Sequence, residues 1–316
     1  MRNIKPGSSI WRIFVRKVLF PFISCISFLL ILSPIAQAEN EKVLYEKDSL
    51  YHHIRVSEIE GYRYLSFNRI RGSQSVVNIR DIFELKFPYT RASFVIPAFL
   101  DRKPERILYI GLGGGSIPRV MGKYYPEAQI DIVEIDKEVI RVAKEFFFFE
   151  PTPMMNLIEM DGRRFLRSSS DHYDIIFLDA YDDLSIPFHL TTREFLEIIK
   201  EKLTPDGLVA SNIWGPRNDK FYLSEAKTYQ QVFPNLYLID AIETNNYFFI
   251  AYPNKNKITK TIIQERVSRL QDWFEFGFPL MTYANTFEDL SNVRINAKVL
   301  IDDYAPVEVL RSRSSF

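Results

Sequence analysis

Hydrophobic positions change rhythm along this chain. Between Glu41 and about Phe87 they alternate in short runs: residues 54–59, a turn at Gly61, residues 62–67, then Gly72 ahead of a run through Val76 and Val77. Alternation broken by turn residues predicts a small antiparallel β-sheet. Residues 87–100 then read as a helix leading into the rest, with Pro97 its one irregularity. From Ile107 onward, solid apolar runs take turns with helical spacing. Strands are expected at 107–111, 130–133, 157–159, 175–178 and 208–211, the last after a Pro205-Asp206-Gly207 turn. Helices are expected from Ser116, over 137–146, 163–167, 191–202 and 221–232. Strands buried on both faces and separated by helices predict a parallel sheet. The last two β runs, 237–242 and 247–251, are joined only around Asn245-Asn246. That link is too short for a crossover, so they form an antiparallel hairpin at the sheet edge.

The predicted fold class is therefore α/β: a Rossmann-like sheet of the S-adenosylmethionine-methyltransferase type with a C-terminal antiparallel hairpin, preceded by a small antiparallel β-domain. Residues 1–38 follow another logic. Arg2, Lys5, Arg12, Arg16 and Lys17 precede an apolar run over 18–32, and Ala36-Gln37-Ala38 supplies a small-x-small cleavage site. This predicts a secretory signal peptide and an exported chain, periplasmic or secreted, beginning at Glu39. Left uncleaved, the segment would tie the chain to a membrane, although its apolar run is short for a span of ~20 residues. The expected organisation is signal peptide 1–38, β-domain 39–95 and Rossmann-like catalytic domain 96–316.

Charge narrows the partners. Lys plus Arg equals Asp plus Glu, 40 each, so no overall field favours nucleic acid. The single cysteine, Cys25, lies in the leader, which leaves the exported chain no disulfide, thiolate metal ligand or cysteine nucleophile. His52, His53, His172 and His189 show no metal-ligand spacing, and no metal is expected.

Chemistry is expected at the carboxyl ends of the parallel strands. The first strand ends in Gly111, Gly113 and Gly114, where missing side chains let a nucleoside cofactor approach the backbone; a tight helix-packing turn is the plainer alternative. The second ends at Glu134, placed to accept both ribose hydroxyls, with Asp136 behind it as a helix cap. Asp161-Gly162 follows the third, where a carboxylate can take an adenine amino group or cap the next helix. Asp179 ends the fourth and opens an acidic run with Asp182 and Asp183. Crowded carboxylates raise one another's pKa, which suits one of them to accept a proton near neutrality; a solvated acidic loop is the alternative.

In this order, GLGGGS, VEID, MDG, LDAYD and a closing IDDYAPVE resemble the polyamine aminopropyltransferases, the spermidine synthase family. The likeness runs from about Tyr45 and is nearest to divergent spermidine-synthase-like proteins, which also carry DAYDD, a HLTTREF-like run and DDYAPVE. It implies a transferase that moves an aminopropyl group from decarboxylated S-adenosylmethionine to a small-molecule amine such as putrescine, and it suggests a homodimer. Under it, Glu134 matches the acid on the cofactor ribose, Asp161 the acid beside the adenine, and Gln74 a glutamine near the cofactor. Asp179 matches the catalytic aspartate, Asp182 the second acid of its DxxD pattern, and Tyr89 the tyrosine of a YHE segment. Ser116 stands where the family has the aspartate that contacts the aminopropyl ammonium, and Thr90 and Arg91 replace the His and Glu of YHE. Asp183-Leu184-Ser185 replaces a DPxGP continuation, and the family's tyrosine loop has no clear equivalent over 243–247. Two further readings stay open: a methyltransferase using intact S-adenosylmethionine, with Arg91 facing its carboxylate, and an exported, non-catalytic nucleoside- or polyamine-binding protein. The closing segment is expected to cap the sheet with Tyr304 and Val307 inward, or to line the cation pocket with Asp303 or Glu308.

Overall fold

The computed structural model describes residues 41–310 except 68–71, 181–186, 216, 218, 255 and 308–309. Its described strands form two sheets. The first is antiparallel, in the order β1 (Lys42–Asp48), β2 (His53–Ile59), β3 (Tyr62–Ser66) and β4 (Ser75–Asn78). Glu60 and Gly61 both have positive φ, as a tight hairpin turn between β2 and β3 needs. Ile54, Val56, Leu65 and Val77 are the buried positions of the alternation, and they pack on Val139, Val142 and Phe147 beneath the larger sheet. The small sheet thus buries its apolar face against the rest of the same compact unit.

The second sheet comprises β5 (Arg106–Ile110), β6 (Gln129–Glu134), β7 (Met155–Glu159), β8 (Tyr173–Leu178), β9 (Leu203–Trp214), β10 (Asn235–Asp240), β11 (Asn246–Tyr252) and β12 (Glu288–Asp289). Their spatial order is β12-β10-β11-β9-β8-β5-β6-β7. Strands β5 to β9 are parallel, and β11 runs antiparallel between β9 and β10. The expected hairpin is present, with its second strand turned inward and β12 covering its outer edge. Helices α1 (Pro88–Ala92), α2 (Ser116–Tyr124), α3 (Lys137–Phe146), α4 (Gly162–Ser168), α5 (Arg193–Glu201), α6 (Lys220–Val232), α7 (Lys260–Trp273) and α8 (Leu280–Ala284) clothe the sheet.

Two expectations change. The helix predicted over 87–100 is α1 followed by a 3-10 helix, Ser93–Phe99, which is buried along its length. Pro97 has no N–H to continue an α-helical ladder. The Pro205-Asp206-Gly207 turn does not precede β9; it bulges within it, so that β8 pairs first through Tyr173 and Leu203 and then through Ile175 and Leu208.

Successive side chains of a strand point to opposite faces. Ile107, Tyr109, Ile175 and Phe177 share one core with Phe94 and Phe99 of the 3-10 segment. Leu108, Ile110, Ile176 and Leu178 share the other with Leu166 and Phe195.

Buried Asp174 ties the opposite, amino-terminal rim together. It accepts from Arg102, the backbone N–H groups of Glu105 and Arg106, and Thr204 Oγ1. Burial alone would raise its pKa, but the Arg102 guanidinium and the other donors hold the carboxyl below its ordinary value. A depressed folded-state pKa stabilises the fold above the unfolded pKa, and that stability is lost as pH falls through the folded value. Asp174→Ala should cost about 3 kcal/mol and flatten the acid limb of stability against pH, measured by urea unfolding between neutral and acid pH. An unchanged acid limb would remove Asp174 from this role.

Candidate active site

A cleft of about 610 Å³ opens over the carboxyl ends of β5, β6, β8 and β9, roofed by residues of β4, α1 and the turn after β1. Its shape starts at Gly111. Strand β5 is joined to both neighbours here: Gly111 N–H donates to Val133 O at 2.8 Å, and Asp179 N–H to Ile110 O at 2.9 Å. Gly111 has φ of 104°, and a Cβ on it would lie 2.2 Å from the carbonyl oxygen of Asp179. Only glycine allows the end of β8 to pass this close.

The rest of the glycine turn divides its work. Gly113 lines the cleft, whereas Gly114 does not, contrary to its expected cofactor contact. Its N–H is given to Ser75 Oγ at 2.9 Å, and a Cβ on it would meet Phe147 at 2.7 Å. Gly114 is a packing glycine, clamped between β4 and the aromatic run after α3.

Glu134 is buried on the cleft wall. Its Oε2 accepts from Leu112 N–H and its Oε1 from Asp136 N–H, each at 3.0 Å. Burial raises its pKa despite both bonds. Asp136 caps α3 through Glu138 N–H, which leaves the cleft to Glu134. Asp161 takes its capping part, Oδ1 accepting from Arg164 N–H at the start of α4, while Oδ2 meets His189 Nε2 at 2.8 Å on the cleft wall beside Gly162. Asp179 lines the cleft with one oxygen accepting from Asn212 Nδ2 at 2.8 Å, and Asn246 Nδ2 in turn donates to Asn212 Oδ1 at 3.0 Å. No cation pairs with Asp179 among the described residues, and burial raises its pKa.

Gln74 and Tyr89 also line the cleft, joined by a 3.0 Å bond from Tyr89 Oη to the Gln74 carbonyl. The side-chain Nε2 of Gln74 is buried with no partner among the described residues. Asp182 lies outside the described residues, as does Glu308. Asp303 is exposed and does not line the cleft, and Tyr304, expected inward, is exposed too. Val307 is buried with Leu300 and Phe221. Asp302 of that segment holds Arg163 through bonds of 2.7 and 2.6 Å, two residues past Asp161 and off the cleft wall. Arg91 Nε donates to Leu85 O and its side chain does not reach the cleft. Ser116 does reach it, with its hydroxyl given to Val76 O at 3.3 Å.

Sequence reasoning missed Tyr109, His52, His189 and Asn212, all on the cleft wall. Asn212 sits at the carboxyl end of β9 and the strand-end rule would have found it. His52 stacks on Phe67 at the tip of the small sheet, with ring centroids 4.2 Å apart, which no local pattern announces.

This strand order, with acids at successive strand ends around a glycine turn, defines a methyltransferase-type sheet whose cleft lies where open α/β sheets bind ligands. Residues 86–259 match the spermine/spermidine synthase domain family. The chain is 31% identical over 288 residues to a polyamine aminopropyltransferase of Vibrio vulnificus, covering 89% of this chain and 95% of that one. The chain belongs to the spermine/spermidine synthase family. In fold it is similar to a probable spermidine synthase from Corynebacterium glutamicum, with TM-score 0.61 and 22% identity over 70% of this chain and 86% of that one. It is also similar to human methyltransferase-like protein 13 in complex with SAH, with TM-score 0.55 and 25% identity over 61% of this chain and 93% of that one.

Because Phe147 backs Gly114, Phe147→Ala should cost about 3–5 kcal/mol by urea unfolding. It should also weaken nucleoside binding in calorimetry. Full nucleoside affinity in the folded variant would show that the turn holds its shape without the ring.

Proposed function

We propose that this transferase moves the aminopropyl group of decarboxylated S-adenosylmethionine to a small primary amine such as putrescine. One observation carries the reading. Among the described residues the cleft is lined by the carboxylates Glu134, Asp161 and Asp179 and by no Lys or Arg. Such a wall favours a cationic sulfonium and an ammonium, and it offers no partner to the carboxylate of an intact cofactor. Arg91, the cation that would have suited the intact form, is turned to Leu85 O.

The residues present suit the nucleoside. Glu134 is fixed by two backbone N–H groups and keeps acceptor capacity for ribose hydroxyls. Asp161 faces the cleft with His189 beside it, where an adenine amino group can donate. The buried, unpartnered amide of Gln74 supplies a donor. Asp179 is the base. An ammonium has no lone pair, so the acceptor must lose a proton before it attacks. A carboxylate with a raised pKa both binds the cation and takes that proton. The amine nitrogen then bonds to the aminopropyl carbon, the carbon–sulfur bond breaks, and methylthioadenosine leaves with the electron pair on sulfur. Asn212, itself held by Asn246, keeps Asp179 oriented.

Calorimetry with decarboxylated and intact S-adenosylmethionine should show tighter binding of the decarboxylated form, and the reverse order would sink the proposal. Asp179→Asn should lower kcat at least about a hundredfold while leaving cofactor affinity within about twofold. Wild-type activity should fall as pH drops through a midpoint above the ordinary aspartate range, because the working form of Asp179 is the ionised one.

A further inference from the structure

Tyr109 stands on the cleft wall with no role so far. It lies on β5 opposite Phe177 of β8, and its ring stacks on that phenylalanine with centroids 4.6 Å apart and planes 4° from parallel. Asp179 follows Phe177 by two residues and therefore leaves the same face of the sheet. Tyr109 and Asp179 thus line the same side of one cleft. Tyr109 is 2% exposed, and its hydroxyl has no hydrogen-bond partner among the described residues. A buried hydroxyl left unpaired destabilises a fold, and phenylalanine would stack on Phe177 as well without it. The oxygen answers to something outside the fold.

We infer that the Tyr109 hydroxyl is a second contact for the acceptor amine, its oxygen accepting one N–H beside Asp179. This rests on the aminopropyl-transfer reading above. Burial, with Asp179 nearby, raises the phenol well above its ordinary pKa, so it stays neutral and presents two lone pairs. Once the ammonium has given one proton to Asp179, a primary amine keeps two N–H groups. Tyr109 oxygen holds one, the carbonyl oxygen of protonated Asp179 holds the other, and the nitrogen lone pair is left for the carbon. A secondary amine has one N–H for these two acceptors. The pair therefore selects a primary amine on an alkyl chain lying along the Tyr109 side of the cleft.

Tyr109→Phe removes only the oxygen. With 1,4-diaminobutane as acceptor, kcat/KM should fall about ten- to a hundredfold, the worth of one hydrogen bond to a charged or reacting group. Cofactor affinity in calorimetry should be unchanged, and Tm should be equal or higher, since an unpaired buried group is gone. Where the wild-type enzyme turns over, an unchanged kcat/KM in Tyr109→Phe would overturn this inference and leave the transfer reading intact. An equal loss of cofactor affinity would move Tyr109 to the nucleoside end and overturn it as well. Absence of turnover in the wild type would overturn the transfer reading, and this inference with it.

Discussion

The close passage of three strand ends at Gly111 is the constraint on which the site depends. Gly111 bonds to β6 through Val133, Ile110 bonds to the start of the Asp179 loop, and a Cβ on Gly111 would fall 2.2 Å from Asp179 O. This crossing puts Glu134, Leu112 and Asp179 around one cavity without any of them being near in sequence. The small sheet serves the same point. Ser75 at the start of β4 takes the Gly114 N–H, and Phe147, on which that sheet also packs, presses the turn from behind. The small sheet is thus a wall of the cleft within one compact unit.

Burying acids in such a cavity is costly unless something compensates. Glu134 is compensated by two backbone N–H groups and remains raised in pKa; Asp179 has an amide donor and is raised as well. Compare Asp174, which lies at the rim and has a guanidinium and two backbone donors, and whose pKa is depressed. On the transfer reading proposed above, the cation that Asp179 lacks among the described residues is the one an amine would bring.

The strands, their order of appearance and the acids at their ends were legible because each is a local signal: an apolar run, then a polar residue that the run cannot absorb. The antiparallel ending was legible too, but the inward turn of β11 was not, since pairing of distant strands leaves no mark on either. Asp136 and Asp161 show where local reading reaches its limit. Both carry a capping pattern; whether the second carboxylate oxygen faces a cavity depends on His189, far along the chain. The packing of Gly114 was hidden for a similar reason, because its neighbour Phe147 belongs to a run that reads only as generic core. Tyr109 was hidden by its strand: an aromatic residue in an apolar run looks like packing until its hydroxyl is seen to have no partner among the described residues.

Ser116 remains the sharpest departure, and the structure narrows what it means. Replacing an acid by a hydroxyl removes one attraction for the aminopropyl ammonium. It would invert the preference only if a cation had also arrived, and none lines the described cleft; Arg91 points away and Arg119 is spent on backbone carbonyls of Ile82 and Phe147. Field falls slowly with distance in a low-dielectric cleft, whereas a hydrogen bond is lost within an ångström. The remaining carboxylates therefore still favour a cation at that end, without a dedicated contact to fix its position. On this argument the substitution loosens the grip on the transferred group rather than exchanging it for another, and on the proposed transfer reading orientation of the reaction falls to the Asp179 side of the cleft.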